Sequence, residues 1–436
     1  MHRPSTRMTS VAILCALACI VVLRVPEITY PGRFLAEEGT VYFREAYAHA
    51  PARVFRTANL GYYSLFNKIA AVAAAHAVPL EHAPVVTGVF AFVAQMIPFA
   101  LILFSAFEGL SSTWRKAIAC LLVLLVQPNQ EVWLNTINSQ FFFCVSCGLI
   151  LVSRATSTRW HAFRLCILAM AGLTGVVSCL LLPLFAVSYG RFRSSQRLHE
   201  TIVLGVACAI QAVVVMTTEG RETQMYPAVL PFVLLVKQWI FPLMGGQIAN
   251  AFSEIVKHRA LFQNPGLAGL ALLPHGIVGM ALLACGRKEA VLLLCASVGI
   301  AGISFMQSVD ARHLDLILSH ISAADAGRYY YAPNVFLALA ISMSPRKPSF
   351  CGTRFRHAYN IASCALVGMF LVVGARDYVL SKRHRWVFSG PCWPEQARNW
   401  QAGRTDRLLI WPQGWQMTLP RMGAEQPNLP DPDNPE

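Results

Sequence analysis

Long apolar runs separated by short polar segments dominate this chain. Alone or with their flanks, they are long enough to cross the roughly 30 Å hydrocarbon core of a bilayer as helices. The runs are Met8–Val25, Ala83–Phe107, Ala117–Gln127, Asn135–Val152, Leu198–Met216, Leu267–Cys285, Glu289–Gln307, Tyr329–Met343 and Ala358–Ala375. The pattern predicts an all-α polytopic membrane protein.

The apolar segment Arg164–Tyr189 differs from these runs because Gly172, Gly175 and Pro183 interrupt it. It is too short for two ordinary spans. Such interruptions are typical of two short or broken helices that meet inside a protein. We therefore expect this segment to cross toward the outer face and return.

The positions of the basic residues support this arrangement. If the N-terminus is inside, the inside loops hold Arg3, Arg7, Arg115, Lys116, Arg154, Arg159, Arg164, Arg191, Arg193, Arg197, Arg287, Lys288, Arg346, Lys347, Arg354 and Arg356. This agreement predicts about eleven spans, with the N-terminus in the cytoplasm and the C-terminus outside. If the interrupted segment crossed only once, every later basic loop would change side.

The same topology predicts how the chain is divided. Residues 1–375 form a transmembrane bundle with large outer loops at 26–82 and 217–263. Residues 376–424 form an outer-face tail, and the Pro-rich, acidic end at 425–436 is predicted to be disordered. The tail holds five of the nine tryptophans, which favour either the headgroup layer or the core of a small subdomain. These five are Trp386, Trp393, Trp400, Trp411 and Trp415.

Both outer loops contain segments with helical patterns. The first loop has an amphipathic stretch at Thr40–Ala50 and an alanine-rich stretch at Tyr62–Val78, which is expected to lie in the interface or partly re-enter. In the second loop, Ala228–Phe252 is apolar but carries Lys237, Gln238, Gln247 and Asn250. That combination is typical of a helix lying along the membrane face. The alternative is a full span there, which would disturb the charge pattern.

Composition agrees with a membrane protein, since 55% of the residues are hydrophobic and only 13% are charged. An average soluble domain carries roughly 25% charged residues. The net charge of +14 arises mostly in short loops, and no basic groove with stacked aromatic residues is evident, so nucleic-acid binding is not expected. Most cysteines lie inside apolar runs. Cys144 and Cys147 form a CxxC pair within one such run, without a second pair, which favours a structural role over redox or zinc chemistry.

Two adjacent carboxylates, Glu37 and Glu38, follow the first span in the predicted outer loop. A carboxylate beside a helix N-terminus is stabilised in its ionised form. It can accept a proton from a sugar or lipid hydroxyl, or bind a divalent cation. The alternative is a solvated or capping acidic pair. Glu38 is slightly preferred as the acting group because Gly39 follows it.

A second polar cluster, from Asp310 to Arg328, lies on the same predicted side. His313 would share a helix face with Asp310, which would allow metal binding, although no recognised zinc spacing is present. The alternative is a hydrogen-bonded polar loop. Arg328 and Tyr329 open a predicted span. There a guanidinium either holds a phosphate with two hydrogen bonds or extends to the interface.

An amide-rich turn faces this side too. Its residues either bind sugar hydroxyls or hydrogen-bond between helices. They are Gln127, Asn129, Gln130, Glu131, Asn135, Asn138 and Gln140. No nucleotide-binding loop and no HExxH or GxSxG motif stands in a suitable context, which disfavours a cytosolic nucleotide-driven enzyme.

This layout resembles the GT-C superfamily of integral-membrane glycosyltransferases, which includes the protein mannosyltransferases and the lipid A aminoarabinose transferases. In that group a first span precedes a large outer loop with acidic residues, and a bundle with short paired helices follows. Glu37 and Glu38 take the place of the acidic motif, where many members have Asp. Phe34–Gly39, Gly327–Pro333 and Ile410–Trp415 are also similar to segments of bacterial GT-C-like proteins.

The resemblance implies sugar transfer from a polyprenyl-phosphate donor to a lipid or glycan acceptor at the outer face of a bacterial inner membrane. One carboxylate of Glu37 and Glu38 would be the general base, and Arg328 would hold the donor phosphate. The candidate substrate-binding residues are Asn138, Gln140, His313 and Tyr329. A divalent cation at the carboxylates is the one candidate cofactor, and membrane lipids are the surrounding partners.

Two other classes remain as alternatives: a transporter or flippase for a lipid or polymer, and a scaffold or O-antigen-polymerase-like protein. A transporter is expected to carry polar residues at mid-membrane and, often, internal repeats. Here the charged residues gather at the predicted outer face, and no repeat is evident.

Overall fold

The structure is a computed structural model of the chain. It describes residues 6–24, 32–218, 227–257, 264–308, 321, 326–343, 353–380 and 392–421. Within these ranges the protein is mostly helical, as the sequence predicted. Strand pairing there is confined to Leu408–Leu409 with Gln416–Met417, in the C-terminal tail.

The α-helices are numbered here in chain order. They are α1 Thr6–Arg24, α2 Arg44–Ala48, α3 Pro51–Val54, α4 Leu65–His76, α5 Ala83–Phe104, α6 Thr113–Leu125, α7 Ser139–Leu151, α8 Thr158–Gly172, α9 Leu182–Phe192, α10 Ser195–Thr217, α11 Leu230–Leu234, α12 Phe241–Met244, α13 Gly246–Val256, α14 Pro265–Ala284, α15 Lys288–Ser308, α16 Arg328–Ser342, α17 Thr353–Leu380 and α18 Trp393–Gln401. The segments Glu38–Phe43 and Leu235–Ile240 are π-helical, and Leu80–His82 and Val177–Leu181 are 3-10 turns.

Six helices in the described residues are long and apolar enough to cross a membrane, or up to seven if a bent pair counts as one span. The six are Arg7–Arg24, Leu80–Phe104, Ser195–Thr217, Pro265–Ala284, Lys288–Met306 and Thr353–Val379. A spanning helix needs about 20 apolar residues. Ser139–Leu151 and Leu230–Met244 are apolar but shorter. These helices support a membrane protein, and the total of about eleven spans stays a prediction.

The bent pair consists of helices α8 and α9 with the 3-10 turn between them. The two halves are bent by 119° relative to each other. Gly175 lies at the bend with φ +143°, and a Cβ there would approach Gln140 Oε1 to 2.2 Å, so only glycine fits. Arg154, just before α8, and Arg191, in α9, line one cavity. The chain therefore returns to the end of the bundle from which it entered.

The helices separate the charged residues into two ends. We call residues 105–116, 152–164, 191–197 and 285–288 the basic end. We call residues 32–82, 126–138, 326–328 and 392–421 the carboxylate end. Helix α5 connects them, because Thr87 near its start interacts with Glu38 and Ala106 beyond its last turn pairs with Arg154. Its 22 residues correspond to a length of about 33 Å.

Helix α16 forms the centre of the bundle, where residues 330–341 are all buried. It packs against α7, α15 and α17. A Cβ at Gly148 of α7 would lie 2.2 Å from Phe336, so the glycine permits this close approach. Asn334 donates to the carbonyls of Gln127 and Lys237, each at 2.8 Å, which anchors the helix at its middle.

The tail packs onto residues 32–82 as one small unit. Phe34 stacks on Phe43 with ring centroids 4.2 Å apart and meets Trp393 edge-on at 5.3 Å. The backbone N–H of Trp411 donates to the carbonyl of Phe34 at 2.9 Å. The buried tail tryptophans are Trp393, Trp400 and Trp411. Their burial favours the core of a subdomain over the headgroup layer, while Trp386 lies outside the described residues.

The segment around Lys237 does not lie along the membrane face, although the sequence had predicted that it would. Helix α11, the π-helical segment and α12 pack against α14, α15, α16 and α17. Lys237 and Gln238 are 0% exposed. Side chains expected along a membrane face lie inside the protein, because neighbouring helices cover them.

Candidate functional site

A sharp turn sends the side chain of Glu38 into the protein. Ala36 has φ +46°, and its N–H donates to the carbonyl of Trp411 at 2.6 Å. Glu38 Oε2 then accepts from the N–H of Leu35 at 3.1 Å. Glu38 Oε1 accepts from the N–H and hydroxyl of Thr136, at 3.0 and 2.6 Å. Glu38 thereby connects the loop after α1 to the turn before α7.

The environment of Glu38 suits a structural role. Its exposed fraction is 4%, and burial raises the pKa of its carboxyl above the usual range. Hydrogen bonds from Thr136 and Leu35, with the nearby Thr87 hydroxyl, oppose this rise. A carboxylate has about four lone-pair sites, and protein donors take most of those of Glu38. The sequence slightly favoured Glu38 as the acting carboxylate. In the structure Glu37 is better suited to that role, because Glu38 is buried and already hydrogen-bonded.

Glu37 lies in a different environment one residue earlier. Its side chain is only partly buried and makes no hydrogen bond that caps the following helical segment. It lies within electrostatic range of both Tyr62 and Arg328. This carboxylate therefore faces groups that interact with charge, and it keeps lone pairs for a bound molecule.

Arg328 opens α16 beside the amide-rich turn. Its Nη1 lies 3.8 Å from Glu131 Oε2, and its guanidinium carbon lies 5.1 Å from the ring centroid of Tyr329. The side chains of Arg328 and Glu131 are 39% and 40% exposed. Such an exposed and loosely spaced pair contributes little, about 0–1 kcal/mol. A ligand phosphate can therefore replace Glu131 as the partner of Arg328.

The phenol of Tyr62 lies among these charges. It interacts with Glu37, Arg328 and Tyr329, and the phenol of Tyr42 lies nearby. Burial raises the pKa of Tyr62, and the neighbouring Tyr329 and Glu37 raise it further. The hydroxyl therefore stays protonated and can donate a hydrogen bond. We call this group the Glu37 cluster, consisting of Glu37, Tyr62, Glu131, Arg328 and Tyr329.

Asn138 contacts the cluster at Glu131, whereas Gln140 lies at the bend of the helix pair. Asn138 is 5% exposed, and its Nδ2 donates to the carbonyl of Glu131 at 2.7 Å. Its N–H donates to Asn135 Oδ1 at 2.9 Å. Gln140 packs against Gly175 at the bend of the helix pair. These contacts favour hydrogen bonding within the protein over sugar recognition for Asn138.

The described residues do not form a metal site by themselves. Within those ranges no three His, Cys, Asp or Glu side chains lie close enough to share an ion. His313 and the polar residues around it lie outside the described residues. Both cysteines of the CxxC pair, Cys144 and Cys147, are buried and form no disulfide, as expected for structural cysteines.

A second polar group lies halfway along two candidate spans. His275, near the middle of α14, lies with its Nε2 3.0 Å from Gln238 Oε1. Gln238 Nε2 donates to the Ser297 hydroxyl at 2.8 Å, and this hydroxyl donates to the carbonyl of Pro333 at 2.7 Å. Lys237 is buried beside Gln238. We call Lys237, Gln238, His275 and Ser297 the mid-span network, which the sequence analysis missed.

Neither Tyr62, in the Glu37 cluster, nor Thr136, the partner of Glu38, was predicted from the sequence as a site residue. The available signal was the Gly61-Tyr62 pair in the loop that carries the acidic residues. Thr136 has no local signal because it is 98 positions away from Glu38 in the chain. No protein-family model, curated protein or solved structure matches the chain. The assignment of the site therefore rests on its own geometry.

Proposed function

We propose that the protein is a membrane glycosyltransferase that moves a sugar from a polyprenyl-phosphate donor to a lipid or glycan acceptor. The Glu37 cluster carries this proposal, since it joins a partly exposed carboxylate, a partly exposed arginine and a protonated phenol at one end of a membrane bundle. The resemblance in layout supports a GT-C-like bundle of about eleven spans, in a bacterial inner membrane. The site would face outward, with the N-terminus in the cytoplasm.

In the proposed reaction, the acceptor hydroxyl loses its proton to Glu37 while its oxygen bonds to the anomeric carbon of the donor sugar. The bond from that carbon to the phosphate oxygen breaks, and the electron pair leaves with the polyprenyl phosphate. This direct displacement inverts the anomeric centre. Arg328 stabilises the charge on the departing phosphate. Tyr62 donates a hydrogen bond to an oxygen of the bound substrates.

The remaining residues position these groups. Glu38 holds the turn that presents Glu37, through its bonds to Thr136 and Leu35. Glu131 keeps the guanidinium of Arg328 oriented until a phosphate binds. A divalent cation at Glu37 stays a proposal, because further ligands would have to come from the substrates or from residues beyond the described ranges.

The test uses purified protein reconstituted with a lipid extract of the source organism that contains radiolabelled polyprenyl-phosphate sugars. We expect label to leave the polyprenyl-phosphate pool and enter a second lipid or glycan fraction. E37Q should abolish this transfer, whereas E395Q, which changes an exposed carboxylate of the tail, should not. Transfer by E37Q at the wild-type rate would overturn the proposal.

A second candidate function is transport of a lipid or polymer, favoured by the mid-span network. Buried polar groups at that depth are costly and often line a substrate path. Labelled lipid that changes leaflet in proteoliposomes without any sugar transfer, and that stops in H275L, would favour transport. Normal sugar transfer by H275L would assign the network to helix packing.

A further inference from the structure

A cavity of about 550 Å³ opens at the basic end, far from the Glu37 cluster. Helices α7, α9, α10, α14 and α15 contribute its walls. The volume lies within the range of small-molecule sites, roughly 300–1,000 Å³. Neither the proposed glycosyl transfer nor the mid-span network uses this cavity.

Four cations line the cavity, and two of them are neutralised within the protein. Arg154 pairs with Glu108, which also lines the cavity, at 3.3 Å. Arg197 donates to the buried Glu200 at 2.8 Å. These two arginines therefore form part of the wall.

The other two cations are Arg191 and Lys288, and neither makes an ion pair with any residue that the structure describes. One further carboxylate, Glu289, faces the cavity, with a buried Oε2 that has no hydrogen-bond partner. Arg287 interacts electrostatically with Glu289 and offsets part of its charge. The cavity therefore retains positive charge that the described protein groups do not satisfy.

A buried hydroxyl also lacks a partner there. Ser188 lines the cavity with an exposed fraction of 1%, and its Oγ has no hydrogen-bond partner in the described residues. Buried polar atoms are rarely left unpaired. Helices α10 and α15 both begin at this cavity, and their N-termini favour an anion. The Ser188 hydroxyl, the two helix N-termini and the two cations without an ion pair are therefore all suited to binding a phosphate.

The mouth of the cavity is apolar and open. Val187, Phe192 and Leu283 line it and are 60%, 43% and 63% exposed. On a membrane protein, exposed apolar side chains of this kind face lipid chains. A molecule that pairs with the cations inside and also contacts the apolar side chains at the mouth is an anionic amphiphile.

We propose that this cavity binds the phosphate headgroup of an anionic membrane lipid. Arg191 and Lys288 contact the phosphate, and Ser188 donates to a phosphate or ester oxygen. The lipid chains pass over Val187 and Leu283 into the bilayer. The site lies at the opposite end from the Glu37 cluster, so it is independent of the proposed glycosyl transfer.

The test measures binding of dioctanoyl phosphatidic acid, dioctanoyl phosphatidylcholine and inorganic phosphate to the purified full-length protein in detergent. The test variant is R191Q/K288Q. The matched control is R159Q/R193Q, which removes two exposed arginines that do not line the cavity. A third variant, S188L, fills the cavity without changing charge. Thermal unfolding verifies that each variant is folded.

We expect phosphatidic acid to bind the wild type and the control equally. It should bind R191Q/K288Q at least about tenfold more weakly, because both cations that contact the phosphate are removed. It should also bind S188L more weakly, because the leucine side chain occupies the cavity. Three results would overturn the proposal. The first is an equal loss in the control, which would indicate general surface charge. The second is equal binding of phosphatidylcholine, which would indicate the chains alone. The third is inorganic phosphate binding as tightly as the lipid, which would indicate a soluble ligand.

Discussion

Glu200 at the basic end and Glu37 at the carboxylate end show two ways in which this protein uses an acidic side chain. Glu200 is 0% exposed, and its oxygens lie 2.8 Å from both Arg164 and Arg197. Glu37 is partly exposed and lies within electrostatic range of Arg328 without a capping bond. A carboxylate whose partners are all protein groups stabilises the fold, whereas one with free lone pairs can meet a substrate.

Glu38 belongs with Glu200 in this comparison, although it is the chain neighbour of Glu37. Both are buried and accept protein hydrogen bonds. Adjacent residues of a helical segment point about 100° apart, so one can enter the core while the other faces a cavity or solvent. Residue type and position in the chain therefore do not decide the role of a carboxylate here.

The largest expected effect is a loss of stability in the variant E200Q. The change leaves Arg164 and Arg197 buried with weakened partners, and breaking a buried pair in this way costs about 3–5 kcal/mol. The measurement is thermal unfolding in detergent. E108Q is the control, since its pair with Arg154 is exposed and contributes about 0–1 kcal/mol. Equal losses in the two variants would remove the distinction between a buried and an exposed carboxylate.

The next effect is on catalysis, in R328Q. Removing a group that stabilises developing charge lowers the rate by about 10²–10³-fold. R328K should recover part of this loss, because it restores the charge but not the two-pronged hydrogen bonding. The measurement is the initial rate of sugar transfer with saturating acceptor. An R328Q rate within twofold of wild type would take Arg328 out of the site.

The third prediction concerns pH. The pKa of Glu38 is raised in the folded state, so the folded protein holds this proton more tightly than the unfolded chain. Its contribution to stability is therefore present below the ordinary value of 4.5 and is lost as pH rises through the raised pKa. The loss amounts to about 1.4 kcal/mol for each pKa unit. As pH rises above about 4.5, the free energy of unfolding should fall more steeply for wild type than for E38Q. Parallel curves would contradict this account.

The smallest effect is expected in Y62F. Loss of one neutral hydrogen bond is equivalent to about 0.5–1.5 kcal/mol, or roughly a two- to twelvefold lower rate of transfer. Y47F is the control, because its ring packs against Trp400 outside the Glu37 cluster. If Y47F slows transfer as much as Y62F does, the Tyr62 hydroxyl has no specific role.

Periodic and compositional features were predictable from the sequence. The interruptions at Gly175 and Pro183 predicted a broken helix pair, and the described pair is bent by 119°. Glycine and proline act locally, through the backbone, so their effect can be inferred from the chain alone. The acidic pair was also identified as the candidate site.

Contacts between distant segments were not predictable. The Glu38 carboxylate accepts hydrogen bonds from Thr136, and Arg328 lies 3.8 Å from Glu131. Lys237 looked like a surface residue because an apolar segment with a single Lys suits a membrane face. In the structure α14, α15 and α16 cover that segment. Such burial depends on how distant helices pack, and no local pattern in the sequence encodes it.

The most direct test of the central claim compares sugar-transfer rates of E37Q and E38Q, reconstituted at equal amounts of folded protein. If Glu37 is the general base, E37Q should be about 10²–10⁴-fold slower than wild type. E38Q should keep a substantially higher rate, because Gln can still accept a hydrogen bond from Thr136. An E38Q rate as low as or lower than that of E37Q, with both variants folded, would contradict the assignment.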